Sequence, residues 1–396
     1  MGPIRLAIVS THPIQYYAPW FREMAREPAI DLRLFFLMRP DEQGLFDPFF
    51  GQNIKWDNPV LEGYAHEFVP NVSRNPSLAR FWGFDNPTLG TRVAEFAPDA
   101  VLLIGYNFWS LIRFIFTWPR SSAPLIFKGD SHRLVPDRSG LRTVRRFAIG
   151  AILRRFAAVL YVGEANKRYF LEHGVDPERL FKSPHAIDSA WFLRDLDAAR
   201  RDAAEWRRSL GIPDDHAVVL FAGKFEDKKR PLDLLAAFTA LGRDDATLLF
   251  VGAGPLDAEL REAAAGARHV RFAPFQNQSV MPRTYLAADV LVLPSFGAYE
   301  TWGLAVNEAM TLGRPAIAST HVGCAEDLVS NDVTGLVFAA GNRAALQDAL
   351  SRALSDRARL AQWGVAAKER VAAYNYMEAT RGLLAAVDYA LAARRG

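Results

Sequence analysis

The sequence predicts an α/β protein with two Rossmann-like domains, each built on a parallel sheet. Short apolar runs rich in β-branched residues alternate with segments of helical periodicity from one end of the chain to the other. This alternation is typical of parallel sheets whose strands are joined by helices. The length of 396 residues exceeds what one ordinary core holds and suits two domains of similar size.

The first half of the chain shows the alternation most clearly. Helical periodicity marks residues 19–26 and 138–156, which lie between apolar runs. A proline-containing turn and a polar helical stretch at 183–200 then interrupt the pattern. The predicted strands before this interruption are 4–10, 32–38, 100–104, 125–128 and 159–162.

The second half repeats the same pattern, and a final helix is predicted at 377–395. We therefore expect a first domain over 1–190, a second over 191–375, and a last segment, 376–396, that crosses back to the first domain. The predicted strands of the second domain are 216–222, 247–252, 270–273, 290–294 and 315–319.

Composition narrows the classes of function. A formal net charge of +3 argues against a broad nucleic-acid-binding surface. Cys324 is the only cysteine, so no internal disulfide can form and a reducing cytoplasm is expected. The amino terminus lacks the apolar core of a signal peptide, and no stretch of about 18 apolar residues predicts a spanning helix.

The most informative stretch carries two glutamates, Glu300 and Glu308, within PSFGAYETWGLAVNEAMTLGRPAIAS. Gly303 and Leu304 open a predicted helix between them, and a glycine there allows close approach of a ligand to free N–H groups. Such helix starts favour phosphate oxygens, and a carboxylate can accept two hydrogen bonds from a ribose diol. Two glutamates alone are more often a helix cap and a solvated helix face, so the surrounding residues decide.

Those residues resemble the E-x7-E signature of glycosyltransferase family 4, which has the GT-B fold. The elements of that signature follow one another here in the family's order: P-S, E-x-x-G-L, a second Glu, A-M and G-x-P-x-I-A-S. The resemblance covers the second predicted domain almost completely and is weaker in the first. It implies two Rossmann-like domains facing across a cleft, a nucleotide sugar on the second, an acceptor on the first, retention of anomeric configuration, and no catalytic metal.

A second segment, FAGKFEDKKRP at 221–231, resembles the family's strand–G-R-L–x3–K-G element. Gly223 turns the chain out of the strand, Lys229 stands at the family's lysine position, and Lys224 replaces its arginine. Two cations at this spacing suit a diphosphate leaving group, although a generic basic loop is the alternative. Gly252 lies in VGAGPL, which resembles the family's V-G-x-G-P turn and fits a structural connection equally well.

The first domain offers fewer matches. His12 and Gln15 lie in a loop after the first strand, where many relatives have glycines, and either packing or acceptor binding fits them. FKGDSH falls where the family carries a histidine near the donor sugar, so Asp130 or His132 is expected there, with a helix cap as the alternative for Asp130. His185, in SPHAIDSAWF, is expected at the hinge between the domains.

Residues 133–155 contain seven arginines and one acid, Asp137. Helical spacing places Leu141, Val144, Ala148, Ile152 and Phe156 near one side of a helix. A basic amphipathic helix can lie on an anionic membrane, which predicts peripheral contact at the inner membrane face. A solvated cationic face over the first domain's core is the alternative.

The predicted function is therefore that of a retaining glycosyltransferase whose donor is a nucleotide diphosphate sugar, with no cofactor besides this substrate. In the predicted mechanism Lys224, Lys229 and the helix start neutralise the departing diphosphate, Glu308 binds the ribose and Glu300 orients the sugar. The expected acceptor is a glycan or lipid-linked intermediate of the bacterial envelope, with a small cytoplasmic molecule as the alternative. A sugar-nucleotide epimerase of GT-B fold and a non-catalytic nucleotide-sugar-binding protein are the competing functions.

Overall fold

The computed structural model of the protein describes residues 2–40, 45–47, 52–135 and 142–395. Its described strands form a seven-stranded sheet, a six-stranded sheet and a separate antiparallel pair. The strands are β1 Ile4–Ser10, β2 Ile30–Phe36, β3 Leu45–Asp47, β4 Gln52–Ile54, β5 His66–Phe68, β6 Ala100–Ile104, β7 Leu125–Lys128, β8 Ala158–Tyr161, β9 Leu180–Lys182, β10 Ala217–Ala222, β11 Ala246–Val251, β12 Val270–Ala273, β13 Val290–Leu293, β14 Ala316–Ser319 and β15 Gly335–Phe338.

Helices join most of these strands. They are α1 Ala18–Arg26, α2 Leu89–Glu95, α3 Trp109–Thr117, α4 Arg142–Leu153, α5 Glu164–Glu172, α6 Ser189–Leu193, α7 Leu196–Ser209, α8 Pro231–Thr239, α9 Asp257–Ala263, α10 Met281–Leu286, α11 Leu304–Thr311, α12 Ala325–Leu328, α13 Arg343–Leu354, α14 Arg357–Val371 and α15 Tyr376–Arg395. Short 3₁₀ turns occur at Phe81–Gly83, Pro177–Arg179, Asp227–Lys229 and Gln278–Val280. None of the described helices combines the length and apolar character needed to cross a membrane.

Both large sheets are parallel throughout. The first runs in the order β5-β2-β1-β6-β7-β8-β9, and the second in the order β12-β11-β10-β13-β14-β15. Each order reverses beside its first strand, between β1 and β6 in one sheet and between β10 and β13 in the other. At such a switch point the connecting loops diverge, which leaves a crevice at the carboxyl ends of the strands.

Each sheet is covered by helices on both faces, which explains why its strands are apolar runs rather than alternating patterns. In β1, Ala7 and Val9 pack into one apolar cluster, whereas Leu6 and Ile8 pack into the cluster on the opposite face. Successive side chains of a strand point to opposite faces, so an apolar strand feeds two cores at once.

The strand predictions agree with the structure within one or two residues at each boundary, and they miss β3, β4, β5, β9 and β15. β5 and β9 form the two edges of the first sheet, and β15 forms one edge of the second. β5 and β9 have three residues each and β15 has four. Strands of three residues are too short to show periodicity. β15 is as long as the predicted strands β7 and β8 but begins with Gly335, a residue that is rare in strands.

The last helix, α15, packs against the first sheet although it follows the second in the chain. Ala379, Leu383, Ala386 and Val387 are buried in the same apolar cluster as β1 and β2. The indole Nε1 of Trp20 on α1 donates to Thr380 Oγ1 at 2.9 Å. This helix therefore links the two halves of the chain.

We expect Leu383→Ala to lower the free energy of unfolding by about 2–5 kcal/mol, because it empties a packed site in the first core. Leu383 is fully buried on α15. Met377→Ala, at a 58% exposed position of the same helix, is the control and should change stability by less than about 0.5 kcal/mol. Urea denaturation of both variants measures the difference, and equal losses would contradict the docking of α15.

Candidate functional site

A cavity of about 310 Å³ lies between the carboxyl edges of the two sheets. Its walls come from loops after β1, β7, β9 and β13 and from α15, so both halves of the chain contribute. The lining residues are Ile14, Tyr16, Tyr17, Trp20, Lys128, Asp130, Pro184, His185, Ala186, Glu300, Thr301, Trp302, Gly303, Leu304, Tyr376 and Ala379. Its size lies at the lower end of ordinary ligand pockets.

Glu300 lines this cavity and forms an ion pair with Lys229, which is not among the described lining residues. The ammonium of Lys229 donates to Glu300 Oε2, and Ser295 Oγ donates to the same oxygen at 2.8 Å. The two charged side chains are only 19% and 12% exposed. Glu300 lies in the loop after β13 and Lys229 ends the 3₁₀ turn after β10, so two neighbouring strands of the second sheet bring them together.

Gly303 begins helix α11 in a left-handed conformation, with φ of 98°. A Cβ at this position would lie 2.9 Å from both the Leu293 and Val322 side chains, so space as well as conformation requires glycine. Gly303 and Leu304 both line the cavity, and no side chain caps the helix. The first N–H groups of α11 and its positive end thus lie beside the cavity, which favours an anion.

Gly223 and Gly252 directly follow β10 and β11, where the loops after these two strands approach each other closely. Their φ angles are 156° and 150°, and a Cβ on Gly252 would lie 1.9 Å from the Gly223 carbonyl oxygen. Any side chain at position 252 would therefore push these loops apart. Lys224 follows Gly223 and is half-buried, but it is not among the described residues that line the cavity.

Arg230 follows Lys229, at the position of the glycine in the family's K-G element. It adopts a left-handed conformation with φ of 53°, a region that glycine populates freely and arginine rarely. Its guanidinium lies 5.0 Å from the centre of the Phe296 ring. This cation–π contact stabilises a side chain whose backbone is strained.

Glu308 lies on α11, eight residues after Glu300, but it is buried beside the cavity rather than lining it. Tyr285 donates to Glu308 Oε2 at 2.6 Å, and Tyr16 donates to Oε1 at 3.0 Å. Burial raises the pKa of Glu308 to about 7, although the hydrogen bonds from Tyr285 and Tyr16 oppose that rise. The structure thus brings Glu300 and Lys229 into contact and encloses Glu308 separately.

Asp130 lines the cavity from the first domain and has two partners. Thr301 Oγ1 donates to Asp130 Oδ2 at 2.8 Å, and His185 Nε2 lies 3.4 Å from the same oxygen. Burial alone raises the pKa of Asp130, but hydrogen bonding and attraction to His185 outweigh it and lower the value to about 2. His132 instead faces the Glu300 carbonyl oxygen, with Nε2 at 3.0 Å, and is buried against the loop that carries Glu300.

His12 and Gln15 lie on the first-domain side without lining the larger cavity. The Nδ1 atom of His12 is 2.9 Å from Thr11 Oγ1, and burial lowers the pKa of His12 to about 4. Gln15 lines a small adjacent cavity together with Gln278 of the second domain. Their predicted role on the acceptor side stays a prediction.

Most residues that line the cavity were not assigned to the site from the sequence, and Lys128 and His185 are two of them. Lys128 is buried at the end of β7, where its ammonium donates to the Ser183 carbonyl at 2.6 Å, and burial lowers its pKa to about 7. A lysine closing the apolar run LIFK was the available signal. His185 was assigned to the hinge, and only its contact with Asp130, 55 residues away in the chain, brings it to the cavity.

The described residues contain no group of three His, Cys, Asp or Glu side chains that could hold a metal ion. The sequence does contain one Asp-x-Asp pattern, Asp195 and Asp197. Asp195 caps α7 by accepting from Ala198 N at 3.1 Å, and Asp197 pairs with Arg200 at 3.0 Å. Both carboxylates therefore have structural partners.

We expect Glu308 to make the native protein less stable as the pH rises, because its carboxyl keeps a proton in the folded state that the unfolded chain releases, and Glu308→Gln to abolish this contribution. The pKa of Glu308 is about 7 in the folded state and 4.5 in the unfolded chain. Between these two pH values the folded protein keeps the proton and the unfolded chain has released it. Stability therefore falls over this interval, by roughly 1–3 kcal/mol. Urea unfolding of both proteins at pH 5.5 and pH 8 measures the difference.

Lys128 has the opposite effect, since its lowered pKa makes stability rise with pH above about 7. Comparing Glu308→Gln with the native protein at each pH cancels this contribution. An identical pH dependence in the two proteins would show that Glu308 is ionised normally in the folded state.

The family described as glycosyl transferases group 1 matches residues 202–370. The D-inositol 3-phosphate glycosyltransferase of Nocardia farcinica is 31% identical over 371 residues, covering 84% of this chain and 78% of that protein. An uncharacterised glycosyltransferase of Methanocaldococcus jannaschii is 31% identical over 166 residues, covering 41% of this chain and 42% of that protein. The chain spans about half the length of several such relatives.

Among solved structures, HepE of Anabaena in complex with UDP and glucose is similar over 96% of this chain and 98% of that chain. The TM-score is 0.69 at 16% sequence identity, so this similarity concerns the fold. The predicted α/β class with two parallel sheets, the GT-B fold, is confirmed. By its similarity along most of the length of the Nocardia protein, the chain belongs to the group 1 glycosyl transferases.

Proposed function

We propose that the protein is a retaining glycosyltransferase of family 4 that moves a sugar from a nucleotide diphosphate donor to an acceptor hydroxyl. The observation that carries this proposal is that Glu300 and the start of α11 line one interdomain cavity, while Lys229 pairs with Glu300 from behind this lining. A cation and a helix start suit a diphosphate, and a carboxylate beside them suits sugar hydroxyls. The UDP and glucose bound by HepE support the same ligand class.

The donor side carries the chemistry. As the bond between sugar and diphosphate breaks, negative charge grows on the leaving oxygens, and Lys229 and the amino end of α11 stabilise it. The ion pair with Glu300 holds the Lys229 ammonium beside the carboxylate that orients the sugar in the proposed mechanism. Lys224 supplies a second cation, and Glu308 binds the ribose.

The acceptor attacks from the same face that the diphosphate leaves. The acceptor hydroxyl forms the new glycosidic bond while the bond to the diphosphate breaks, and the hydroxyl proton passes to a diphosphate oxygen. No protein base is required for this step. Asp130 lines the first-domain side of the cavity, ionised and within reach of hydroxyl donors, so it orients the acceptor or the donor sugar.

We propose a glycan or lipid-linked acceptor, and the surface of α4 supports this choice. Residues 143–148 are exposed and include Arg145 and Arg146, while Val144 and Phe147 are 65% and 69% exposed. α4 carries no acidic residue. An exposed basic helix with apolar side chains fits an anionic membrane, where a lipid-linked acceptor would lie.

The apolar side of α4 differs from the one predicted. Val144 and Ala148 face solvent, whereas Ile149 and Leu153 pack into the first core. Ile152 and Phe156, from the predicted side, also pack there, and Leu141 and Asp137 lie outside the described residues. The core-facing side is rotated from the predicted one, since Ile149 and Leu153 lie beyond Ile152 around the helix, whereas Val144 and Ala148 lie at the opposite edge of the predicted side.

The activity is tested by incubating the purified protein with UDP-, GDP- and ADP-sugars, with and without acceptors. A transferase releases nucleoside diphosphate only when an acceptor is present and forms a product with retained configuration. Conversion of the donor alone would indicate an epimerase. Tight binding of nucleoside diphosphate without turnover of any donor would indicate a binding protein.

Lys229→Ala should lower kcat by about 10²-fold or more, because its ammonium stabilises charge that develops mainly in the transition state. Lys228→Ala is the matched control, since Lys228 is the adjacent lysine and pairs with Glu226 at 3.1 Å instead. It should keep kcat within about threefold of the native value. An unchanged kcat in Lys229→Ala, with only a raised KM for the donor, would remove the assignment.

Phe147→Asp should weaken binding to phosphatidylglycerol vesicles by about tenfold or more. The substitution removes an apolar side chain from the membrane contact and adds a negative charge that the anionic lipids repel. Val365→Asp is the control, as Val365 is 63% exposed on α14 of the second domain. Vesicle co-sedimentation measures both, and the native interaction should weaken as salt rises. Equal binding to phosphatidylcholine vesicles, or equal losses in the two variants, would count against membrane contact.

A further inference from the structure

Glu308 connects the two domains through tyrosine hydroxyls. Tyr285 on α10 belongs to the same domain as Glu308 and donates to Oε2 at 2.6 Å. Tyr16 follows β1 of the first domain and donates to Oε1 at 3.0 Å, across 292 positions of sequence. Both carboxylate oxygens are thus engaged, one from each side of the cleft.

The carboxylate is also closed off from solvent. Glu308 is 2% exposed. The Gln278 side chain interacts with both Glu308 and Tyr16. The loop that carries Gln278 is covered by the first domain, since Asn277 Nδ2 donates to the Lys55 carbonyl at 2.8 Å and Ser279 N donates to Asp57 at 3.1 Å. A diol therefore cannot reach Glu308 while these contacts are in place.

The two ends of the predicted donor site differ in this respect. Glu300 and Gly303, at the sugar and diphosphate end, line a cavity of about 310 Å³. Glu308, at the ribose end, has no such space. A donor entering this cleft must displace Tyr16 from Glu308, and a ribose hydroxyl can then take the position of the phenol, because both donate to a carboxylate oxygen.

We propose that Tyr16 is an affinity-determining residue of the donor site, supplied by the first domain, which competes with the ribose for Glu308. This inference rests on the proposed function and concerns the regulation of the same site. Tyr16 and a ribose hydroxyl cannot occupy the same position at Glu308 Oε1, so the strength of the Tyr16 bond is subtracted from the donor's affinity. Tyr285 moves with Glu308 and keeps its bond in both states, so its hydroxyl does not compete.

The test compares Tyr16→Phe with Tyr285→Phe, which remove the same hydroxyl from the same carboxylate. Isothermal titration calorimetry first establishes whether the native protein binds UDP or GDP more tightly. That nucleotide is then used to measure Kd for the native protein and both variants. Tyr16→Phe should lower this Kd by about 3- to 10-fold, the contribution of one hydrogen bond. Tyr285→Phe should leave it unchanged or raise it. Thermal unfolding of each variant establishes that the fold is retained.

A second probe identifies the ribose as the competitor. With the 2′,3′-dideoxy form of the same nucleotide, no ribose hydroxyl can replace the phenol, so the gain in Tyr16→Phe should disappear. An unchanged or higher Kd in Tyr16→Phe, or an equal gain with both nucleotides, would overturn this inference while leaving the proposed function in place. Failure of the native protein to bind any nucleoside diphosphate would overturn both.

Discussion

The position of the site depends on one constraint, the parallel pairing of the strands in both sheets. In a parallel sheet all strands end at the same edge, and the helices that follow begin there. The two sheets bring these edges together, so the loops after β1, β7, β9 and β13 meet although they are far apart in sequence. Helix α15 holds the arrangement by returning from the second half to pack on the first sheet.

The charged groups of the cleft have partners within the protein. Lys229 pairs with Glu300, Asp130 contacts His185 and Thr301, and two tyrosines hydrogen-bond Glu308. Buried charges require such partners, because an unpaired charge in a low-dielectric cleft costs several kcal/mol. Under the proposed function, a nucleoside diphosphate binds by exchanging partners with these groups, and its affinity reflects the difference between the two sets of contacts.

Backbone geometry explains why some positions of the motif admit only one residue type. Gly303 is fixed both by its φ of 98° and by the side chains of Leu293 and Val322. Gly252 is fixed by the carbonyl oxygen of Gly223. Arg230 shows that a left-handed position can accept another residue when space is available, since its side chain extends over Phe296.

The sequence by itself determined the fold class, most strand positions and the local motifs around Glu300, Lys229 and Gly303, because apolar periodicity and motif spacing are properties of short segments. It did not determine the edge strands, the face that α4 presents to the core, or the partners of Glu308. Tyr16 and Glu308 are separated by 292 positions, and His185 and Asp130 by 55. Only the packing of two domains across a cleft decides such contacts, since no local signal in the chain records which distant side chain will share a buried carboxylate.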